Sequence, residues 1–232
     1  MEAAAALAAL AAMTLWFGAF LAGYTTETTR NTGPGTYAIT ISSKMPVLAC
    51  VLVFDVLVIW AAWRLAKRGG IRAADVLALR VPLGGGKAIL AVACVVAAFL
   101  AVEFAAAPLY RLAAENATKL INGFVQQAGW PLAIVTIGIA APLAEELWLR
   151  GFLLPALAKT RLGFWGAGIL MSTLFAALHA AQYALVLLVP IFFLGLVLTW
   201  GLGLTGSLWV PIAIHISNNL LALLLLWMWP PI

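Results

Sequence analysis

Seven stretches of roughly twenty mostly apolar residues, separated by short polar or glycine-rich breaks, take up most of this chain. About twenty such residues suffice for a helix to cross the hydrocarbon core of a bilayer. Backbone in lipid has no water to bond, so only helices and closed barrels satisfy it there. Runs of this length read as helices. The chain is 65% hydrophobic and 9% charged, against about 25% charged in a soluble domain, which excludes a single water-soluble core. The expectation is an all-α polytopic transmembrane bundle of about seven spans, within a range of six to eight.

The expected spans are 3–24, 45–65, 88–110, 130–158, 164–181, 184–202 and 207–229. The first has no basic residues ahead of it, so it reads as a retained span and not a cleaved signal peptide. A Thr- and Gly-rich segment, 25–44, follows it, and 111–129 reads as an amphipathic interfacial helix. Six of the thirteen basic residues fall between Arg64 and Lys87, and two more, Lys159 and Arg161, flank the fourth break. Basic loops mark the cytoplasmic side. These two are separated by two spans and fall on one side, which places the N-terminus in the cytoplasm and 25–44 and the C-terminus outside. The net charge of +5 is thus a topology signal and not a nucleic-acid footprint. Cys50 and Cys94 show no metal-ligand spacing and read as buried small side chains. No internal repeat is visible.

Ionisable groups inside spans are costly, about 2.5–3.5 kcal/mol each on insertion scales, and they usually face a cavity. The chain's two histidines, His179 and His215, lie in the fifth and seventh spans, and Glu145, Glu146 and Arg150 in the fourth. Glu146 and Arg150 are four apart and share a helix face, so they pair. Glu145 points about 100° away and stays free. A free carboxylate partly withdrawn from water suits a general base near neutral pH. Pro142 deprives the Gly138 carbonyl of its helical donor and predicts a kink beside the acids. Phe175 and His179, and likewise His215 and Asn219, are four apart, with Asn218 a weaker candidate at three. Counted from the 159–163 turn at about 1.5 Å per residue, Glu145 and His179 reach similar depth. Asp55 and Glu103 read as inward-facing polar groups outside the catalytic set.

These residues resemble the motifs of one family. Glu145-Glu146-Leu-Trp-Leu-Arg150 is similar to its EExxxR motif, Phe175-Ala-Ala-Leu-His179 to its FxxxH motif, and His215-Ile-Ser-Asn-Asn219 to its His followed four residues later by Asn or Asp. The family is the CAAX protease and bacteriocin-processing (Abi) group of intramembrane proteases, which includes the type II CAAX prenyl endopeptidases. The resemblance covers about 130–226 and divides the chain into N-terminal spans, 1–129, and a catalytic core, 130–232. It implies an endopeptidase acting on a membrane-associated protein or peptide. Glu145 would activate the hydrolytic water with help from His179. His215 and Asn219 would hold the scissile carbonyl and its oxyanion, and Glu146, Arg150 and Phe175 would support the site. A glutamate mechanism needs no cofactor. The alternative is a zinc held by Glu145, His179 and His215, although the HExxH signature is absent. Nothing marks a prenyl-cysteine substrate, and the composition looks bacterial or archaeal, which implies a plasma-membrane location. Two other functions stand beside proteolysis. One is a non-catalytic membrane partner, an immunity or scaffold protein of the same fold. The other is a proton-coupled transporter using the same groups as a relay.

Overall fold

The computed structural model describes residues 29–31, 37–39, 47–67, 72–82, 86–113, 115–180 and 183–229. The expected span 3–24 lies outside them. In the 25–44 segment, strands β1 (Thr29–Asn31) and β2 (Tyr37–Ile39) pair antiparallel, Arg30 opposite Ala38. Thr, Tyr and Ile favour strands.

Most of the remaining described residues are helical. Helix α1 is Val47–Ala66, α2 the short Ala73–Val76, α3 Gly86–Ala113 and α4 Glu115–Ala128. Helix α5 is the long Trp130–Ala158, α6 Gly163–Leu178, α7 Leu188–Thr205, entered through a 3₁₀ turn at Leu185–Leu187, and α8 Trp209–Met228. Five of these are long and apolar enough to cross a membrane: α1, α3, α5, α7 with its entry turn, and α8. The protein is an all-α, multi-pass membrane bundle. The cysteines differ from expectation. Cys94 is exposed and Cys50 only half-buried. Helix α3 is apolar nearly all round, so position on it does not dictate burial.

Helix α6 stops at Leu178, three residues short of its expected end. Its sixteen residues rise only ~24 Å, less than the ~30 Å hydrocarbon core.

Helix α5 is not uniform. Ile134–Ala140 and Leu147–Leu153 are π-helical and enclose an α-helical piece, Ala141–Glu146. Both wide segments end alike. The Ala141 amide donates to Thr136 O, five residues back, and the next residue is Pro142. The Leu154 amide donates to Leu149 O, and the next residue is Pro155. A proline has no N–H and its ring crowds the preceding turn, and widening that turn relieves the crowding. The turn before Pro142 is thus widened into a π turn beside the acids.

Helices α6 and α7 approach closely through small residues. A Cβ on Gly168 would lie 2.7 Å from Thr199 Cγ2, and one on Gly195 would lie 3.0 Å from Ser172 Cβ. Small-xxx-small pairs of this kind let membrane helices pack backbone to backbone. At one end of the bundle the 72–82 segment is sewn to the turn after α7. Leu208 N donates to Ala78 O (2.9 Å), Ser207 Oγ to Arg80 O (2.5 Å) and Arg80 Nε to Gly206 O (2.6 Å). Gly206 takes the left-handed conformation there (φ 61°), which glycine adopts at no steric cost. The side chains of Leu77 and Leu208, both fully buried, fill the space above Gly151.

Candidate active site

Glu146 and Arg150 form the pair their spacing predicts. Arg150 Nη1 donates to Glu146 Oε1 at 2.7 Å, and both side chains have zero exposure. Arginine keeps its charge in proteins, so the carboxylate neutralises it in place. Arg150 Nη2 reaches Gly195 O at 3.3 Å, a carbonyl brought near by the close α6–α7 packing. The guanidinium also sits over the Phe175 ring, 4.7 Å from its centroid, a cation–π contact.

Phe175 gathers the rest of the site. His179 meets its ring at 4.8 Å and His215 at 5.4 Å between centroids, both edge-on. One aromatic side chain on α6 therefore touches Arg150 from α5, His179 at the end of its own helix and His215 from α8.

The histidine tautomers follow from their partners. His179 caps α6, and its Nδ1 lies 2.8 Å from Phe175 O. A carbonyl only accepts, so Nδ1 carries the proton, and in the neutral ring Nε2 is the basic nitrogen. This bond also satisfies one of the carbonyls orphaned at the helix end. His215 Nδ1 lies 3.0 Å from Glu146 Oε1, so it too is a donor. Its Nε2 faces Glu145 Oε2 at 3.8 Å, too far for a direct hydrogen bond. Glu145 Oε2 is shielded from solvent and has no hydrogen-bond partner, while the side chain as a whole is 29% exposed. The two adjacent acids thus differ as their helix positions require. Glu146 is clamped by a guanidinium and an imidazole, and Glu145 is open.

Asn219 Nδ2 donates to Ile137 O at 2.9 Å, and its Oδ1 accepts from Asn218 Nδ2 at 3.3 Å. The first bond follows from the π turn. Ala141 N bonds Thr136 O, and Pro142 has no N–H to give, so Ile137 O lacks both helical donors. The side-chain amide replaces them. Close packing allows this, since a Cβ on Gly138 would lie 2.6 Å from Leu220 Cδ2.

The structure also brings forward residues that the motifs do not contain. Asp55, on α1, is buried and near enough to Glu145 for their charges to interact. Tyr183 follows α6. Its amide donates to His179 O (3.1 Å), its ring lies 5.9 Å from that of His179, and burial followed by the Glu145 charge raises its phenol pKa. Glu103 hydrogen-bonds Tyr110 on the same helix. The signal for Asp55 was its rarity in a span. Tyr183 gave none, being one of the tyrosines of an apolar sequence. Among the described residues, no three His, Cys, Asp or Glu side chains converge as a metal-binding group.

Comparison with known proteins agrees with the motifs. Residues 127–221, less than half of the chain, match the family model described as type II CAAX prenyl endopeptidase Rce1-like. An uncharacterised 24.3 kDa protein of Escherichia coli is 32% identical over 94 residues, covering 40% of this chain and 43% of that protein. The match thus spans less than half the length of that curated relative. No solved structure matches the chain. The matched segment holds all three motifs.

Proposed function

We propose that this chain is an intramembrane endopeptidase of the glutamic kind, hydrolysing a peptide bond in a membrane-associated protein. The observation that carries the reading is the contrast within the acidic pair: Glu146 is spent on Arg150 and His215, and Glu145 is left open 3.8 Å from His215 Nε2. Glu145 takes a proton from a water, whose oxygen attacks the scissile carbonyl. Nε2 of His179, basic because Nδ1–H is held by Phe175 O, accepts a hydrogen bond from the same water. The oxyanion meets His215 and Asn219. With Nδ1–H given to Glu146, a second proton on Nε2 makes His215 an imidazolium, the form that donates. Asn219 has one N–H on Ile137 O and one remaining. The proton held by Glu145 then passes to the leaving nitrogen, the C–N bond breaks, and an amine and a carboxylic acid result. Asp55 and Tyr183 border Glu145 and help position it.

In this reading the basic loops Arg64–Lys87 and Lys159–Arg161 face the cytoplasm of a prokaryotic cell, the N-terminus lies there too, and the reaction needs no metal. Three protein ligands and an open position would be needed for a catalytic zinc, and Glu145 as a ligand would no longer serve as base. Two measurements test the proposal. Membrane proteomes of cells carrying the wild type or Glu145→Ala are compared for protein termini that only the wild type produces. Identical termini would leave the fold as a binding or scaffold module. Elemental analysis of active protein, with chelation and add-back, tests the metal. One zinc per chain, with activity lost on removal and restored on return, overturns the glutamate mechanism.

A further inference from the structure

Apart from the acidic pair, the chain has a second site-like feature at the sewn end of the bundle. A groove of about 470 Å³ opens where α5 ends, α6 begins and α7 ends. Its wall includes Leu154, Phe164, Trp165, Trp200 and Leu204, and its one charged lining residue is Arg80. The volume falls in the ~300–1,000 Å³ range of small-molecule sites.

Arg80 is held for a purpose its surroundings do not use up. Its Nε donates to Gly206 O at 2.6 Å, and its carbonyl accepts from Ser207 Oγ. The guanidinium is therefore fixed at the groove. Among the described residues, neither terminal nitrogen has an acceptor, and no carboxylate pairs with Arg80. A fixed guanidinium with two free nitrogens presents a fork that matches a phosphate. Lys159 and Arg161, both exposed, stand in the turn between the α5 and α6 walls and add positive charge. Trp165, 56% exposed, supplies the amphipathic ring typical of the headgroup level. Basic pockets between membrane helices, with apolar walls behind them, bind lipid headgroups.

We propose that this groove holds one anionic phospholipid, its phosphodiester on the Arg80 guanidinium and an acyl chain along Phe164, Trp165, Trp200 and Leu204. The site is separate from Glu145 and does not depend on proteolysis. It ties the lipid to the seam between the 72–82 segment and the turn after α7.

The test uses the full chain in detergent supplemented with phosphatidylglycerol or phosphatidylcholine. Native mass spectrometry counts retained lipid, and thermal unfolding follows stabilisation. One phosphatidylglycerol per chain, preferred roughly tenfold over phosphatidylcholine, is expected, the order of one charge-assisted contact. Arg80→Gln should abolish the preference, and Arg72→Gln, an exposed position outside the groove, should keep it. Leu204→Glu, which puts a negative charge on the wall, gives a second reading if Arg80→Gln fails to fold, and it too should lose the preference. Equal retention of both lipids by the wild type overturns the proposal, as does a preference that survives Arg80→Gln or Leu204→Glu. Displacement by millimolar inorganic phosphate also overturns it, since the acyl chain would then contribute nothing.

Discussion

Helices α3 and α5 are both long enough to cross a bilayer, yet they occupy opposite environments. On α3, Ile89, Leu90, Leu100 and Phe104 point outward, Phe104 with 84% of its surface free. On α5, Glu146 and Arg150 are wholly enclosed. In water the hydrophobic effect would reverse this placement. In a bilayer the lipid tails are as apolar as leucine and give no reason to bury it, while an ionised group has every reason to leave the lipid. The protein interior is therefore where its polarity collects, and the bundle is held by small-residue contacts, such as Gly168 with Thr199 and Gly195 with Ser172, and by partnered charges.

Substitutions on α5 and its partners should be severe, and those on α3 mild. The largest effect belongs to Glu145→Gln. The amide keeps the shape but takes no proton, so substrate cleavage, read from product termini, should fall by about 10²–10⁴-fold with thermal stability unchanged. The same variant should bring the Tyr183 phenol part of the way back toward its ordinary pKa. The carboxylate charge is the second cause of its elevation, after burial, and burial remains. Ultraviolet titration, with Tyr183→Phe to identify the signal, measures this. A Tyr183 titration unmoved by Glu145→Gln would place the two groups out of electrostatic reach.

Glu146→Gln comes next. It leaves the Arg150 charge enclosed and unpaired, and should cost about 3–5 kcal/mol in denaturant or thermal unfolding. If Glu146→Gln is instead stable and inactive while Glu145→Gln is active, the roles of the two acids are reversed. Asn219→Ala removes the amide that bonds Ile137 O, and the unsatisfied carbonyl should cost about 1–3 kcal/mol. A fall in rate of about 10²–10³-fold beyond the folded fraction would mark loss of an oxyanion donor as well, whereas a loss of stability alone would make Asn219 purely a brace for the π turn. The smallest effect belongs to α3: Phe104→Ala should change unfolding by no more than about 0.5 kcal/mol. A large loss there would show that this face is covered and end the contrast.

What could be read from the chain depended on how local the determining contact is. The Glu146–Arg150 pair lies within one helical turn, and spacing alone predicts it. The membrane-length helices follow from apolar runs, and those beyond the first span appear close to their expected places. His215 was expected to serve the substrate carbonyl, and its bond to Glu146 crosses 69 positions of sequence that no periodicity encodes. Asn219 bonds Ile137 only because α5 widens there, and a straight-helix reading of Pro142 puts the unbonded carbonyl one residue later. The end of α6 escaped notice because Leu178-His179-Ala180-Ala181 is as apolar as the helix before it. The break shows only in the His179 ring turning back onto Phe175 O. Asp55 lies outside the matched segment, and its nearness to Glu145 is a long-range contact that no local spacing encodes.

The two π segments of α5 have a consequence for insertions and deletions. A helix works like a screw thread, and one residue advances it by about 100°. Each i→i+5 turn takes up one residue more than an α turn and so sets back the phase of everything beyond it. The acidic pair lies between two such offsets. Removing one residue from 134–140 would let the first wide turn close to an α turn, which takes up the lost residue and keeps Glu145 and Glu146 on the same face relative to Trp130–Ala133. The same deletion with the wide turn kept would swing them by about 100°. Related chains that differ by a single residue in length beside the acidic motif can therefore aim the same carboxylates at the same face by gaining or losing a π turn.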